Sequence, residues 1–188
     1  MKRARPFWLW VLLMCSASSM ADQRIIVIGD SLSAHLYCWP NELRSENPHL
    51  NIQLIARSGR TIRDFSLPRD MRNVSKKDVV IYLLGTNDAV LGHKMRFVNE
   101  AFVSHMVFLR ERGFRIIVLL PPVASALMPN IEHVRSVIKM QSLRLDLEYY
   151  DLAFWDETMT RDGIHPTTEL SRLVAGYVYD LLTLDPAQ

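Results

Sequence analysis

The chain has 188 residues, 49% of them hydrophobic and 22% charged, with a formal net charge of +2. That length carries one well-packed core with little room for a second, and that composition excludes a disordered chain. Lys2, Arg3 and Arg5 supply the basic excess, and without them the charge is −1, so nothing in the balance points to nucleic acid.

The first 21 residues read as a targeting segment. The basic start is followed by an apolar run from Phe7 to Met14, then by small and polar residues ending in Ser19-Met20-Ala21. This is the pattern of a secretory signal peptide, with Asp22 as the expected mature N-terminus and a periplasmic or secreted location for residues 22–188. The alternative is an uncleaved membrane anchor, but the apolar run is short for a span, and no stable insertion is expected after cleavage. Cys15 would leave with the signal. Cys38 then stands alone, unable to form an internal disulfide, and reads as a buried structural thiol.

Short apolar runs and amphipathic stretches alternate from Ile25 onward. Ile25–Ile28 predicts a first strand. A helix suits Ser33 to Glu46, with a start broken near Pro40. Ile52–Ala56, Val79–Leu84 and Arg115–Leu120 predict three more strands, and Leu147–Leu152 a fifth. Between about Lys94 and Arg112, Phe97, Ala101, Phe102, His105, Phe108 and Leu109 recur at helical spacing, with Gly113 placed to cap the end. Ile131–Leu145 and Thr168–Leu182 read as further helices. Strands alternating with helices predict a parallel sheet covered on both faces in a single domain, 22–188. Ligands of such sheets bind beyond the carboxyl ends of the strands.

The loops at those ends carry the residues with chemistry. Gly29-Asp30-Ser31-Leu32 follows the first strand and Arg57-Ser58-Gly59-Arg60-Thr61 the second. Gly85-Thr86-Asn87-Asp88 follows the third, and Asp162-Gly163-Ile164-His165-Pro166 precedes the last helix. Ser31 suits a nucleophile, His165 the base that takes its proton, and Asp162 the carboxylate that orients the imidazole. Taken singly, each residue has a plainer reading: Ser31 or Asn87 as helix caps, Gly59 and Asp162 as turn formers, His165 as a structural histidine. Four such blocks in one order, three of them at strand ends, are far more specific.

On these four blocks the mature chain resembles an SGNH hydrolase of the GDSL esterase/lipase family. The resemblance implies a three-layer α/β/α sandwich around a five-stranded parallel sheet, a flavodoxin-like α/β fold. It implies Ser31, Asp162 and His165 as catalytic triad. The oxyanion hole would be the N–H groups of Ser31 and Gly59 and the side-chain amide of Asn87. It also implies hydrolysis of carboxylic esters through an acyl-enzyme, without cofactor or metal. Asp30 and Asp88 read as scaffold residues.

The second block departs from the family pattern, with Arg57 and Ser58 where an asparagine often precedes the glycine. Arg57 and Arg60 are therefore candidates for contact with a polar or anionic substrate group. The ends of the motif set are also similar to the small periplasmic thioesterase/lysophospholipase subgroup. The substrate is left open among carboxylic esters, carbohydrate O-acetyl esters, thioesters and lysophospholipids, with acyl transfer and a non-catalytic envelope binder as further alternatives. His35, four residues after Ser31, is a candidate pocket residue. His49, His93, His105 and His133 lack metal-ligand spacing. Val123, Ala124, Leu127 and Met128, between Pro121 and Asn130, are candidates for an apolar acyl wall.

Overall fold

The computed structural model describes residues 23–71, 74, 78–123 and 127–184. The expected signal peptide, Cys15 and Ala124 lie outside them. Five strands form one all-parallel sheet: β1 (Arg24–Gly29), β2 (Asn51–Ala56), β3 (Val79–Leu83), β4 (Arg115–Leu119) and β5 (Glu148–Tyr150), in the order β2-β1-β3-β4-β5. β1, β3 and β4 have no polar-out face. Ile25, Ile26, Val27 and Ile28, then Val79 to Leu83, then Ile116 to Leu119 are all buried, because helices cover both sides.

The helices are α1 (Ser31–Ala34), α2 (Trp39–Glu46), α3 (Leu67–Asp70), α4 (Thr86–Val90), α5 (Met95–Glu111), α6 (Ile131–Arg144) and α7 (Thr168–Thr183), with 3-10 turns at Ile62–Asp64 and Glu157–Met159. α2 packs with α7 on one face and α5 with α6 on the other, which makes the three expected layers. At the amino ends of the strands, Arg24 of β1 ties its neighbours together through Asp78 (2.9 Å) and Gln53 (3.0 Å). Arg115 of β4 makes a two-pronged pair with Glu148 of β5 (2.9 and 2.8 Å) and reaches the Leu181 carbonyl of α7. No helix among the described residues is long and apolar enough to cross a membrane.

Two predicted elements differ from the structure. The stretch expected as one helix from Ser33 to Glu46 is two, because His35 is extended (ψ 157°) and Pro40, lacking an N–H, fits only the first turn of α2. The fifth strand is shorter than Leu147–Leu152. Leu147 N–H turns back to the Ser142 carbonyl (2.9 Å), and Leu152 closes a turn onto Trp155.

The sheet order places the switch in winding direction between β1 and β3, where open α/β sheets form their binding crevice. The Gly-Asp-Ser-Leu turn leaves β1 and the Gly-Thr-Asn-Asp turn leaves β3, so the two motifs stand side by side at that crevice.

Candidate active site

Asp30 follows β1 and caps α1. Its Oδ1 accepts the Leu32 N–H (3.0 Å), which leaves Ser31 as the first residue of the helix. That position has no intrahelical partner for its N–H. The expected capping role therefore belongs to Asp30, and the Ser31 side chain is directed elsewhere: its Oγ lies 2.9 Å from His165 Nε2. His165 Nδ1 lies 2.7 Å from Asp162 Oδ2. The three residues form one continuous relay, Ser31 O–H to imidazole and imidazole N–H to carboxylate, although 134 positions separate serine and histidine.

A tight turn builds the distal half of the relay. Asp162 Oδ1 accepts the N–H groups of Ile164 (3.1 Å) and His165 (2.7 Å), so the carboxylate is fixed on both oxygens. Thr160 Oγ1 takes the Gly163 N–H (2.9 Å), and Arg161 N–H closes onto the His165 carbonyl (2.8 Å). Partial burial works against the charge of Asp162, yet the two N–H groups and the imidazole bring it down to about 2. It is a full anion wherever His165 can act as a base.

The turns that carry the oxyanion candidates are cross-linked. The Arg57 N–H donates to the Gly29 carbonyl (3.1 Å), and Asn87 Nδ2 donates to the Arg60 carbonyl (2.9 Å). Asp88 Oδ2 accepts the Ile62 N–H (2.9 Å). These bonds hold the Gly59 turn against the turns after β1 and β3. Gly59 itself has φ 75°, a left-handed conformation that side chains disfavour, with open space where a Cβ would stand. Asn87 spends one amide hydrogen on Arg60 and keeps a second.

Beneath the serine lies a fully buried carboxyl. Burial pushes Asp30 up to about 7, and the nearby Asp88 charge adds to this. The Leu32 N–H, the Thr86 hydroxyl and His165 oppose it. Asp30 Oδ2 and Thr86 Oγ1 are buried without a strict hydrogen bond. In the sequence Thr86 is one more small residue before Asn87 and carries no signal of this contact. Cys38 is buried, as expected; its thiol donates to the Ser31 carbonyl (3.3 Å), and burial raises it to about 11, so it is no nucleophile.

His35 stands at the mouth, edge-on to His165 with ring centres 5.4 Å apart and Nε2 3.4 Å from Ser58 Oγ. Of the proposed acyl wall, Val123 and Leu127 are exposed, whereas Met128 is buried in the core and cannot line a pocket. His93 bonds Asp88 (3.0 Å), and His105 is buried against the Tyr82 hydroxyl (2.9 Å).

No family model and no curated protein matches the chain in sequence. Solved structures do match. A member of the lipolytic protein G-D-S-L family from Veillonella parvula DSM 2008 superposes with a TM-score of 0.70 at 17% identity, over 86% of this chain and 98% of that one. The lipase/acylhydrolase from Enterococcus faecalis gives 0.68 at 18%, over 88% and 100%. The acetyl xylan esterase AlAXEase gives 0.70 at 15%, over 85% and 99%. At such identities the likeness establishes a shared fold, and the chemistry has to be argued from the side chains.

Proposed function

We propose that this chain, which has the fold of the G-D-S-L hydrolases, is an exported serine esterase that cleaves carboxylic esters. The relay Asp162–His165–Ser31, with links of 2.7 and 2.9 Å at the carboxyl edge of the sheet, carries the reading. Export rests on the signal-like pattern of residues 1–21.

The chemistry follows from the roles. As Ser31 Oγ attacks the acyl carbon, its proton passes to His165 Nε2, and Asp162 stabilises the imidazolium. The carbonyl oxygen becomes an oxyanion, which the Ser31 and Gly59 N–H groups and the free Asn87 amide hydrogen receive. The imidazolium then protonates the leaving alcohol, and the C–O bond breaks to give the acyl-enzyme. Water, deprotonated by His165, attacks in turn and releases the acid and Ser31. No step requires a metal or organic cofactor.

A second reading narrows the acyl group to acetyl on carbohydrate, favoured by the acetyl xylan esterase among the structural relatives. Both readings are tested with p-nitrophenyl esters from acetate to palmitate, using wild type and Ser31→Ala side by side. Serine-dependent turnover is the expected result, and its chain-length profile separates acetyl esters from lipid-like ones. Equal rates in wild type and Ser31→Ala would sink the triad assignment.

A further inference from the structure

A cavity of about 230 Å³ lies along the outer edge of β2, lined by Gln53, Ala56, Arg57, Arg60, Phe65 and Asp70 among others. It holds several times the ~30 Å³ share of one water, enough for a group the size of a phosphate or carboxylate. Two guanidinium groups face it, in unlike states. Arg60 is committed: it pairs with Asp70 at 3.5 Å and stacks over Phe65 at 4.5 Å. Arg57 has no acidic partner among the described residues and is exposed. The lining therefore keeps one uncompensated positive charge, carried by Arg57 and backed by a neutralised, fixed wall.

The loop that lines the cavity is bonded to the candidate site, since the Arg60 carbonyl accepts the Asn87 side-chain amide (2.9 Å). The Arg57 N–H is bonded to the carbonyl of Gly29, two residues before Ser31, and Arg57 itself is two residues before Gly59. Ser58 and His35 continue the polar lip towards His165. An anion seated on Arg57 would sit beside the ester and not on the nucleophile. A guanidinium offers parallel N–H donors matched to two oxygens of such a group, which suits both phosphate and carboxylate.

We propose that the β2-edge cavity is a subsite for an anionic substituent of the substrate, a phosphate or carboxylate, with Arg57 as its ionic anchor. This deepens the esterase reading and rests on it. Arg57 selects which ester is bound and takes no part in the bond-breaking steps.

The test uses three acetyl esters of matched phenols: one neutral, one bearing a carboxylate and one bearing a phosphate. KM is measured for wild type, Arg57→Gln and Arg57→Lys. Wild type is expected to favour a charged ester over the neutral one. In Arg57→Gln that preference should fall about two- to fivefold, the scale of one exposed ion pair. Arg57→Lys should restore part of it. The better of the two charged esters in wild type identifies the oxyanion. An unchanged charged-to-neutral KM ratio in Arg57→Gln overturns the subsite while leaving the esterase intact. If no ester is turned over, the esterase reading falls, and titration with inorganic phosphate and with benzoate, followed by NMR, decides the cavity separately. Shifts at the β2 edge that vanish in Arg57→Gln support it, and their absence overturns it.

Discussion

At the residue scale, Ser31, Asp162 and His165 are legible because each sits in a recognisable motif, Gly29-Asp30-Ser31-Leu32 or Asp162-Gly163-Ile164-His165-Pro166. Asn87 was readable for the same reason, but its geometry was not. The bond from its amide to the Arg60 carbonyl joins two loops that pair only through the folded sheet. One amide hydrogen positions the side chain and the other is left for the oxyanion. Asn87→Ala should therefore lower kcat by about 10²–10³ with little change in KM, since the donor matters most once charge develops. A wild-type kcat in that variant would remove Asn87 from the oxyanion hole. Asn87→Asp is a sharper control, because it keeps the size but places an anion where a donor is needed. His35 is legible from sequence only as a candidate pocket residue and Thr86 not at all: nothing in the spacing of a histidine or a threonine reports which ring or which buried oxygen it meets.

At the element scale, strands and long helices were legible, and short elements were not. β1, β3 and β4 are continuous apolar runs; in α5 the predicted face holds at Phe102, His105 and Leu109, while Val98 and Met106 are buried in place of the half-buried Phe97, Ala101 and Phe108. α1 has only four residues, too few for a period, so its separation from α2 rests on backbone chemistry at His35 and Pro40. Two glycines at these loop junctions make opposite predictions. A Cβ on Gly29 would stand 2.6 Å from both Cβ and Oγ of Ser33, whose hydroxyl accepts the Trp39 indole N–H (3.2 Å). Gly29→Ala should thus push α1 off β1, destabilising the fold by about 1–3 kcal/mol and displacing Ser31 with it. A Cβ on Gly59 meets open space, so Gly59→Ala pays only the left-handed backbone strain, about 1–2 kcal/mol, while its N–H turns away from the oxyanion. Denaturant melts beside kcat measurements separate the two. Loss of activity in Gly59→Ala well beyond its stability loss is expected. A Gly59→Ala enzyme with normal kcat would show that the turn holds its left-handed backbone against the strain and leaves this N–H in place.

At the scale of the whole molecule, two buried titratable groups, His105 and Asp30, pull stability in opposite directions with pH. Burial lowers His105 from 6.5 to about 4, opposed weakly by its bond to the Phe65 carbonyl, and the ring accepts the Tyr82 hydroxyl on Nδ1. Between pH 4 and 6.5 the unfolded chain binds a proton at His105 that the folded chain refuses, so stability from this residue is lost as pH falls through that window. Asp30 behaves the other way. Its carboxyl goes from 3.8 to about 7 on folding, so the folded chain keeps a proton that the unfolded chain releases, and stability is lost as pH rises from 4 to 7. The shifts are of similar size, each of the order of a few kcal/mol over its range, and the windows overlap. Wild-type stability should therefore be nearly flat between pH 4.5 and 6.5. Asp30→Asn keeps a good helix cap while removing one slope, so its stability should rise with pH. His105→Gln removes the other, so its stability should fall with pH. Urea melts at pH 4.5, 5.5, 6.5 and 7.5 measure all three curves. Parallel curves for wild type and both variants would mean that neither group is held in its buried protonation state. Below pH 4 the curves should converge downward, because Asp162, at about 2 when folded, then surrenders the bonds that fix the triad turn.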